Sequence, residues 1–205
     1  MAVLCNKQQD EDGYFMLMIQ PKLDEELKQA PPREIVFLID VSGSMSGWKI
    51  QKAQQAMREF FALTKPGDKM QVITFAGAAE RLFSQPVAVT PENVAAALNF
   101  TNAMRAGGGT RMLEGIQMVL NEPVDPERVR ICIMLTDGYI GNEAEIIAEV
   151  GRRAGDKIRF WAIGVDASPN RFLLDGVAKQ GGGMSKVLGE QDDPKEMVGE
   201  IVCLL

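Results

Sequence analysis

Two stretches of the chain are apolar at every position: Ile35-Val36-Phe37-Leu38-Ile39 and Ile131-Cys132-Ile133-Met134-Leu135. Unbroken runs of β-favouring residues suit central parallel strands covered on both faces. Both stop abruptly in polar residues, the first in Asp40-Val41-Ser42-Gly43-Ser44 and the second in Thr136-Asp137-Gly138. After the first, apolar residues recur at helical spacing (Ile50, Ala53, Met57, Phe60, Phe61, Leu63) until Pro66-Gly67-Asp68 closes the run. Thr90 as N-cap, Pro91 at the first helical position and Glu92 in the first turn predict another helix through Phe100. Further helices are expected over 112–120, 143–150, 170–178 and 194–205, with strands over 70–75, 158–165 and 184–188 and a short edge strand near Arg81 to Phe83. This alternation predicts an α/β fold, a doubly wound, mostly parallel sheet with helices on both faces.

Upstream of Arg33 the pattern changes. Residues 1–12 read as polar and pattern-free, Tyr14 to Ile19 as a short strand closed by Pro21, and 22–32, ending Ala30-Pro31-Pro32, as a linker or exposed helix. The expected division is therefore 1–32, a strand and linker continuing from an upstream region, and 33–205, the domain proper. A length of 205 residues suits one substantial core with an appendage. A net charge of -6 without any long basic run argues against nucleic acid and anionic membranes as partners. No apolar run is long enough to cross a bilayer, and the first residues do not form a signal peptide, so the compartment stays open. Three cysteines, Cys5, Cys132 and Cys203, do not make a disulfide framework, and Cys132 reads as a small core residue.

In open α/β sheets, ligands bind beyond the carboxyl ends of the strands. Asp40, Ser42 and Ser44 alternate, so an extended backbone aims their oxygens at one point, and Asp137 reaches the same rim. Hard oxygen donors in a chain without histidine suit Mg²⁺, Mn²⁺ or Ca²⁺ rather than zinc. The plainer alternative is that the serines cap the following helix and Asp137 turns the chain. Gly107-Gly108-Gly109-Thr110 also reads two ways, as a phosphate cradle lacking the Lys-Ser/Thr ending of a P-loop, or as a tight turn presenting Thr110. Trp48, Tyr139, Asn142, Asp166 and Ser168 fall near this rim as candidate specificity contacts or as loop-structuring residues. No base accompanies the serines, so no nucleophilic pair is evident.

In this order, Asp40-Val41-Ser42-Gly43-Ser44, the glycine loop with Thr110 and Thr136-Asp137-Gly138 resemble the metal-ion-dependent adhesion site of von Willebrand factor type A domains. Gly47 and Lys49 also fit, and the likeness covers 33–205. The resemblance implies a Rossmann-like fold and a bound Mg²⁺ (or Mn²⁺/Ca²⁺). Ser42, Ser44 and Thr110 would be hydroxyl ligands, with Asp40 and Asp137 holding the ion directly or through water. It further implies a non-enzymatic module that captures an Asp or Glu carboxylate of a protein partner. The donor chemistry agrees, because two acids and three neutral hydroxyls leave a divalent ion with room for one more carboxylate.

A narrower likeness rests on Asp12-Gly13-Tyr14-Phe15, Ser42-Gly43-Ser44-Met45, Asp137-Gly138-Tyr139-Ile140-Gly141-Asn142-Glu143 and Asn170-Arg171-Phe172-Leu173-Leu174-Asp175. These are similar to the inter-alpha-trypsin inhibitor heavy chain group and its bacterial relatives. That likeness implies a preceding domain and a bacterial protein that is secreted or held in the cell envelope, its export signal lying outside this chain. Two alternatives stand beside it: a Mg²⁺-dependent phosphoryl-handling enzyme, since paired rim acids serve that chemistry too, and an intracellular assembly subunit.

Overall fold

The computed structural model describes residues 2–6, 12–18, 32–155 and 157–203. The chain divides into two compact units, Met1–Ala30 and Pro31–Leu205. The first contains an antiparallel hairpin of β1 (Ala2–Asn6) and β2 (Tyr14–Met18), with Ala2 opposite Met18 and Asn6 opposite Tyr14. β1 corrects the expectation that 1–12 carries no pattern. Five residues are too few for alternation to register in sequence, and cross-strand pairing with β2 supplies what periodicity does not. The end of the expected strand at Ile19 and all but the last residue of the expected linker lie outside the described residues.

In the second unit, β3 (Arg33–Asp40) is buried at all eight positions, its apolar run Ile35–Ile39 forming the middle. It is flanked by β4 (Lys69–Phe75) on one side and β7 (Val129–Thr136) on the other, both parallel to it. β8 (Ile158–Gly164) and β9 (Ser185–Val187) continue the parallel sheet beyond β7. β5 (Ala79–Arg81) and β6 (Val87–Ala88) pair antiparallel with β4. The order β5-β4-β3-β7-β8-β9 reverses direction at β3, so the crevice between the carboxyl ends of β3 and β7 is the topological switch point. The edge strand lies slightly earlier than expected, and β6 was not anticipated, because two residues carry no periodic signal.

Among the described residues, six helices cover the sheet: α1 (Trp48–Ala62), α2 (Pro91–Ala103), α3 (Met112–Asn121), α4 (Glu143–Arg153), α5 (Arg171–Gln180) and α6 (Pro194–Val202). α1, α2 and α6 pack on the face carrying Ile35, Phe37 and Ile39, while α3, α4 and α5 pack on the face carrying Val36, Leu38 and Met134. The doubly wound, mostly parallel architecture is thus as expected. Thr90 caps α2 as the sequence suggests, accepting from Asn93 N at 3.3 Å. α6 ends at Val202, before the residues outside the description.

The two ends of β3 differ in chemistry. At its amino end the charges are spent on buried ion pairs: Arg33 donates from N and Nη2 to Asp68 at 3.0 and 2.8 Å, and fully buried Arg130 pairs with Glu34. At the carboxyl end, acids predominate. The loop that follows α2 is set in place partly by α3, whose Gly115 approaches β3 and β4 so closely that a Cβ would lie 2.9 Å from Leu38 Cδ1 and 3.2 Å from Phe75 Cδ1. Gly115→Ala is expected to lower stability by about 1–3 kcal/mol through overpacking. Thermal melts check this, and an unchanged melting temperature would show that α3 shifts freely.

Candidate metal centre

Asp40 is the last residue of β3, fully buried, and both of its oxygens are engaged. Oδ1 accepts from Ser42 N at 2.8 Å and Oδ2 from Thr136 Oγ1 at 2.6 Å. Thr136, the last residue of β7, in turn accepts from Gly138 N at 2.9 Å, so one hydroxyl ties the two strand ends together. Burial pushes the Asp40 carboxyl above its ordinary 3.8, hydrogen bonds from Ser42 and Thr136 pull it back, and the nearby charge of Asp137 raises it further.

Ser42 is buried and Ser44 exposed, and their Oγ atoms stand 3.1 Å apart. The helix-capping alternative finds no bond: Ser42 makes no side-chain cap to the 3₁₀ turn Gly43–Met45, and the residue capping α1 is Gly47. The glycine loop docks on this segment through backbone bonds, Gly107 N to Val41 O at 2.8 Å and Gly43 N to Gly108 O at 3.1 Å. Arg111 N donates to Ala76 O at 2.8 Å, so the loop is held on both sides of half-buried Thr110. These amides are satisfied within the chain, which leaves the phosphate-cradle reading without the donors of Gly43, Gly107 and Arg111.

Asp137 is buried, follows β7, and receives Lys49 Nζ on Oδ2 at 3.1 Å. Its Oδ1 accepts weakly from Tyr139 N at 3.4 Å, so the chain-turning alternative holds in part. Lys49 also pairs with Asp166 Oδ2, and Asp166 Oδ1 accepts from Ser168 N at 3.0 Å. Burial opposes the charge on Lys49, but bonds and charges of Asp166 and Asp137 outweigh it and raise its pKa. Burial likewise opposes the charge on Asp166, and the bond from Lys49 prevails to lower its pKa. Trp48 is half-buried against the core, whereas Tyr139 is exposed, its hydroxyl donating to Ser168 O. The structure therefore gathers Asp40, Ser42, Ser44 and Asp137, and seats the loop bearing Thr110 beside them. The sequence did not reveal that Thr136 bonds Asp40 across the sheet, nor that Lys49 pairs with both Asp137 and Asp166. A threonine closing a run of apolar strand residues was the available signal for the first.

Among the described residues, no three His, Cys, Asp or Glu side chains cluster as a metal site, so an ion here draws on hydroxyls as well as acids. The donors fit a hard divalent ion. A Mg²⁺ octahedron at about 2.0–2.1 Å has edges of about 3 Å, close to the 3.1 Å between the serine hydroxyls. Asp40, Ser42, Ser44, Thr110 and Asp137 are the residues that would hold it, and the ion would supply an electrophilic point for an anionic oxygen.

A family model of the von Willebrand factor type A domain matches residues 33–187. The chain belongs to that family. It is 29% identical over 197 residues to a von Willebrand factor A domain-containing protein of Dictyostelium discoideum, covering 95% of this chain and 21% of the relative. With inter-alpha-trypsin inhibitor heavy chain 4 of Mus musculus it shares 28% identity over 197 residues, 90% of this chain and 20% of the relative. The chain thus spans about a fifth of the length of these curated relatives. The fold superposes on a von Willebrand factor type A protein from Catenulispora acidiphila with a TM-score of 0.73 at 20% identity, covering 85% of this chain and 42% of that one. A mussel byssus proximal thread matrix protein with zinc in its MIDAS motif superposes at a TM-score of 0.66 and 19% identity, over 85% and 46% of the two chains. The type A family commonly mediates metal-dependent protein interactions, and its adhesion-type domains are generally non-enzymatic.

The raised pKa of Asp40 has a sign that can be tested. An acid whose folded pKa exceeds its unfolded one adds stability that is present below the unfolded value and lost as pH rises through the folded one. Metal-free protein should therefore lose stability, relative to an Asp40→Asn variant, as pH climbs from about 3.8. Paired thermal melts across pH check this, and parallel profiles of the two proteins would remove Asp40 as the cause.

Proposed function

We propose that this type A domain is a non-enzymatic binding module in which Asp40, Ser42, Ser44, Thr110 and Asp137 hold a Mg²⁺ (or Mn²⁺/Ca²⁺) and the ion captures an Asp or Glu carboxylate of a protein partner. The observation that carries this reading is the buried Asp40 carboxylate held by Thr136, the residue before buried Asp137, beside two serine hydroxyls that bond each other at 3.1 Å. Asp40 and Asp137 supply charge, the hydroxyls supply neutral oxygens, and the ion keeps affinity for one further anionic oxygen. The absence of histidine from the chain, and the engagement of the Gly107 amide by Val41 O, favour binding over phosphoryl chemistry. A secreted or cell-envelope protein fits the resemblance to heavy-chain relatives and to a bacterial pilus tip protein of Porphyromonas gingivalis. No described helix is long and apolar enough to cross a membrane.

Calorimetric titration of metal-stripped protein with Mg²⁺, Mn²⁺ and Ca²⁺, repeated with an acidic peptide once the ion is bound, tests the reading. Saturable ion binding, followed by peptide binding that chelation reverses, is the expected result. Heat-silent titrations with an unchanged melting temperature at millimolar ion would remove the proposed mechanism.

A further inference from the structure

Lys49 places an ammonium where the proposed ion's charge is needed. It lies in the first turn of α1, and its two partners come from separate loops, Asp137 after β7 and Asp166 after β8. The side chains of Lys49, Asp137 and Asp166 are only 17%, 1% and 18% exposed, so solvent screens this cluster weakly. Asp166 is anchored by Ser168 N on one oxygen and offers the other to Lys49, so it is fixed without the lysine's help.

We propose that Lys49 is the resident counter-cation of the metal centre, competing with the divalent ion for Asp137 and retreating onto Asp166 when the ion binds. This rests on the metal-binding reading above. An ammonium is a compact charge on a flexible four-carbon stem, able to give up one carboxylate while keeping another. Three carboxylates, Asp40, Asp137 and Asp166, set against one ammonium leave two negative charges, which one divalent ion neutralises. The loaded site is then uncharged and does not repel an arriving carboxylate. With Lys49 removed, nothing competes with the ion for Asp137, so the ion binds more tightly, but the loaded site keeps a net negative charge that disfavours an acidic partner. Lys49 thus lowers metal affinity and raises tolerance for the ligand.

The test uses parent, Lys49→Gln, Lys49→Arg, Asp166→Asn and the Lys49→Gln/Asp166→Asn pair, titrated with Mg²⁺ alone by calorimetry and melted with and without the ion. Lys49→Gln should tighten Mg²⁺ about tenfold, a shift of about 1.4 kcal/mol. Lys49→Arg should stay near the parent. Asp166→Asn should weaken the ion several-fold, and the double variant should fall nearer Lys49→Gln than additivity allows, because Asp166 acts through the lysine. Metal-free Lys49→Gln should melt lower than the parent, and the rise on adding Mg²⁺ should be larger. A lysine that merely packs would lower both melting curves equally. A folded Lys49→Gln that binds Mg²⁺ no tighter than a parent that does bind overturns this inference alone. No ion binding by parent or any variant overturns the metal reading together with it.

Discussion

Asp40→Asn is expected to weaken Mg²⁺ binding by roughly 100-fold or more while leaving the metal-free protein as stable as the parent, or more so. The carboxylate is fully buried, and its charge is opposed by burial and by the neighbouring charge of Asp137. An asparagine keeps the volume, accepts from Ser42 N with its oxygen and directs its amide at Thr136 Oγ1. That hydroxyl already accepts from Gly138 N and has a second lone pair. What disappears is one negative charge in a weakly screened site, and at 4 Å and an effective dielectric of 20 each unit-charge interaction is about 4 kcal/mol. Opposite effects on affinity and on metal-free stability would mark Asp40 as retained for binding at the expense of the fold. Calorimetry and thermal melts of the two stripped proteins decide it. A variant that keeps parental affinity, or that melts far below the parent, would sink the assignment.

At the other end of the same strand, Glu34→Ala should lower stability by about 3–5 kcal/mol without changing Mg²⁺ affinity. Arg130 is fully buried, and its remaining donors reach the carbonyls of Val119, Glu122 and Pro123 at 2.9, 2.8 and 2.7 Å. Those carbonyls satisfy hydrogen bonds but do not neutralise the guanidinium, whose counter-charge is Glu34. Glu34→Gln keeps an acceptor and should cost less. The six residue steps from Glu34 to Asp40 along a strand amount to about 20 Å, which insulates the metal centre from the loss. Urea denaturation at constant slope measures the difference. A loss under about 1 kcal/mol for the alanine variant would mean that water or another acid reaches Arg130.

Breaking the second buried pair should behave alike but with a pH signature. Burial opposes the charge on Asp68, yet the bonds from Arg33 hold its pKa below 3.8. A depressed acid adds stability that is present above the unfolded pKa and lost as pH falls through the folded one. Its slope is therefore opposite in sign to that of Asp40, and Asp68→Asn should flatten the acid limb of the parent's stability curve.

The chain by itself determined the architecture and the site's donor types. Runs such as Ile35 to Ile39 are apolar at every position because both faces of a central strand are covered, and that property is local enough to read without coordinates. The acids and hydroxyls that close those runs are likewise legible, because they break an otherwise apolar pattern at the carboxyl end of each strand. Tertiary structure alone decided how those oxygens are shared. Thr136 reaches Asp40 across a parallel strand pair, and Lys49 meets Asp137 and Asp166 from another element, contacts separated by 96 and 88 positions in the first two cases. The hairpin strand β1 and the two-residue β6 were also invisible, since pairing and not periodicity creates them. Periodicity reports the face a residue turns to the core, whereas the charge balance of a site depends on which distant side chains the fold brings into reach.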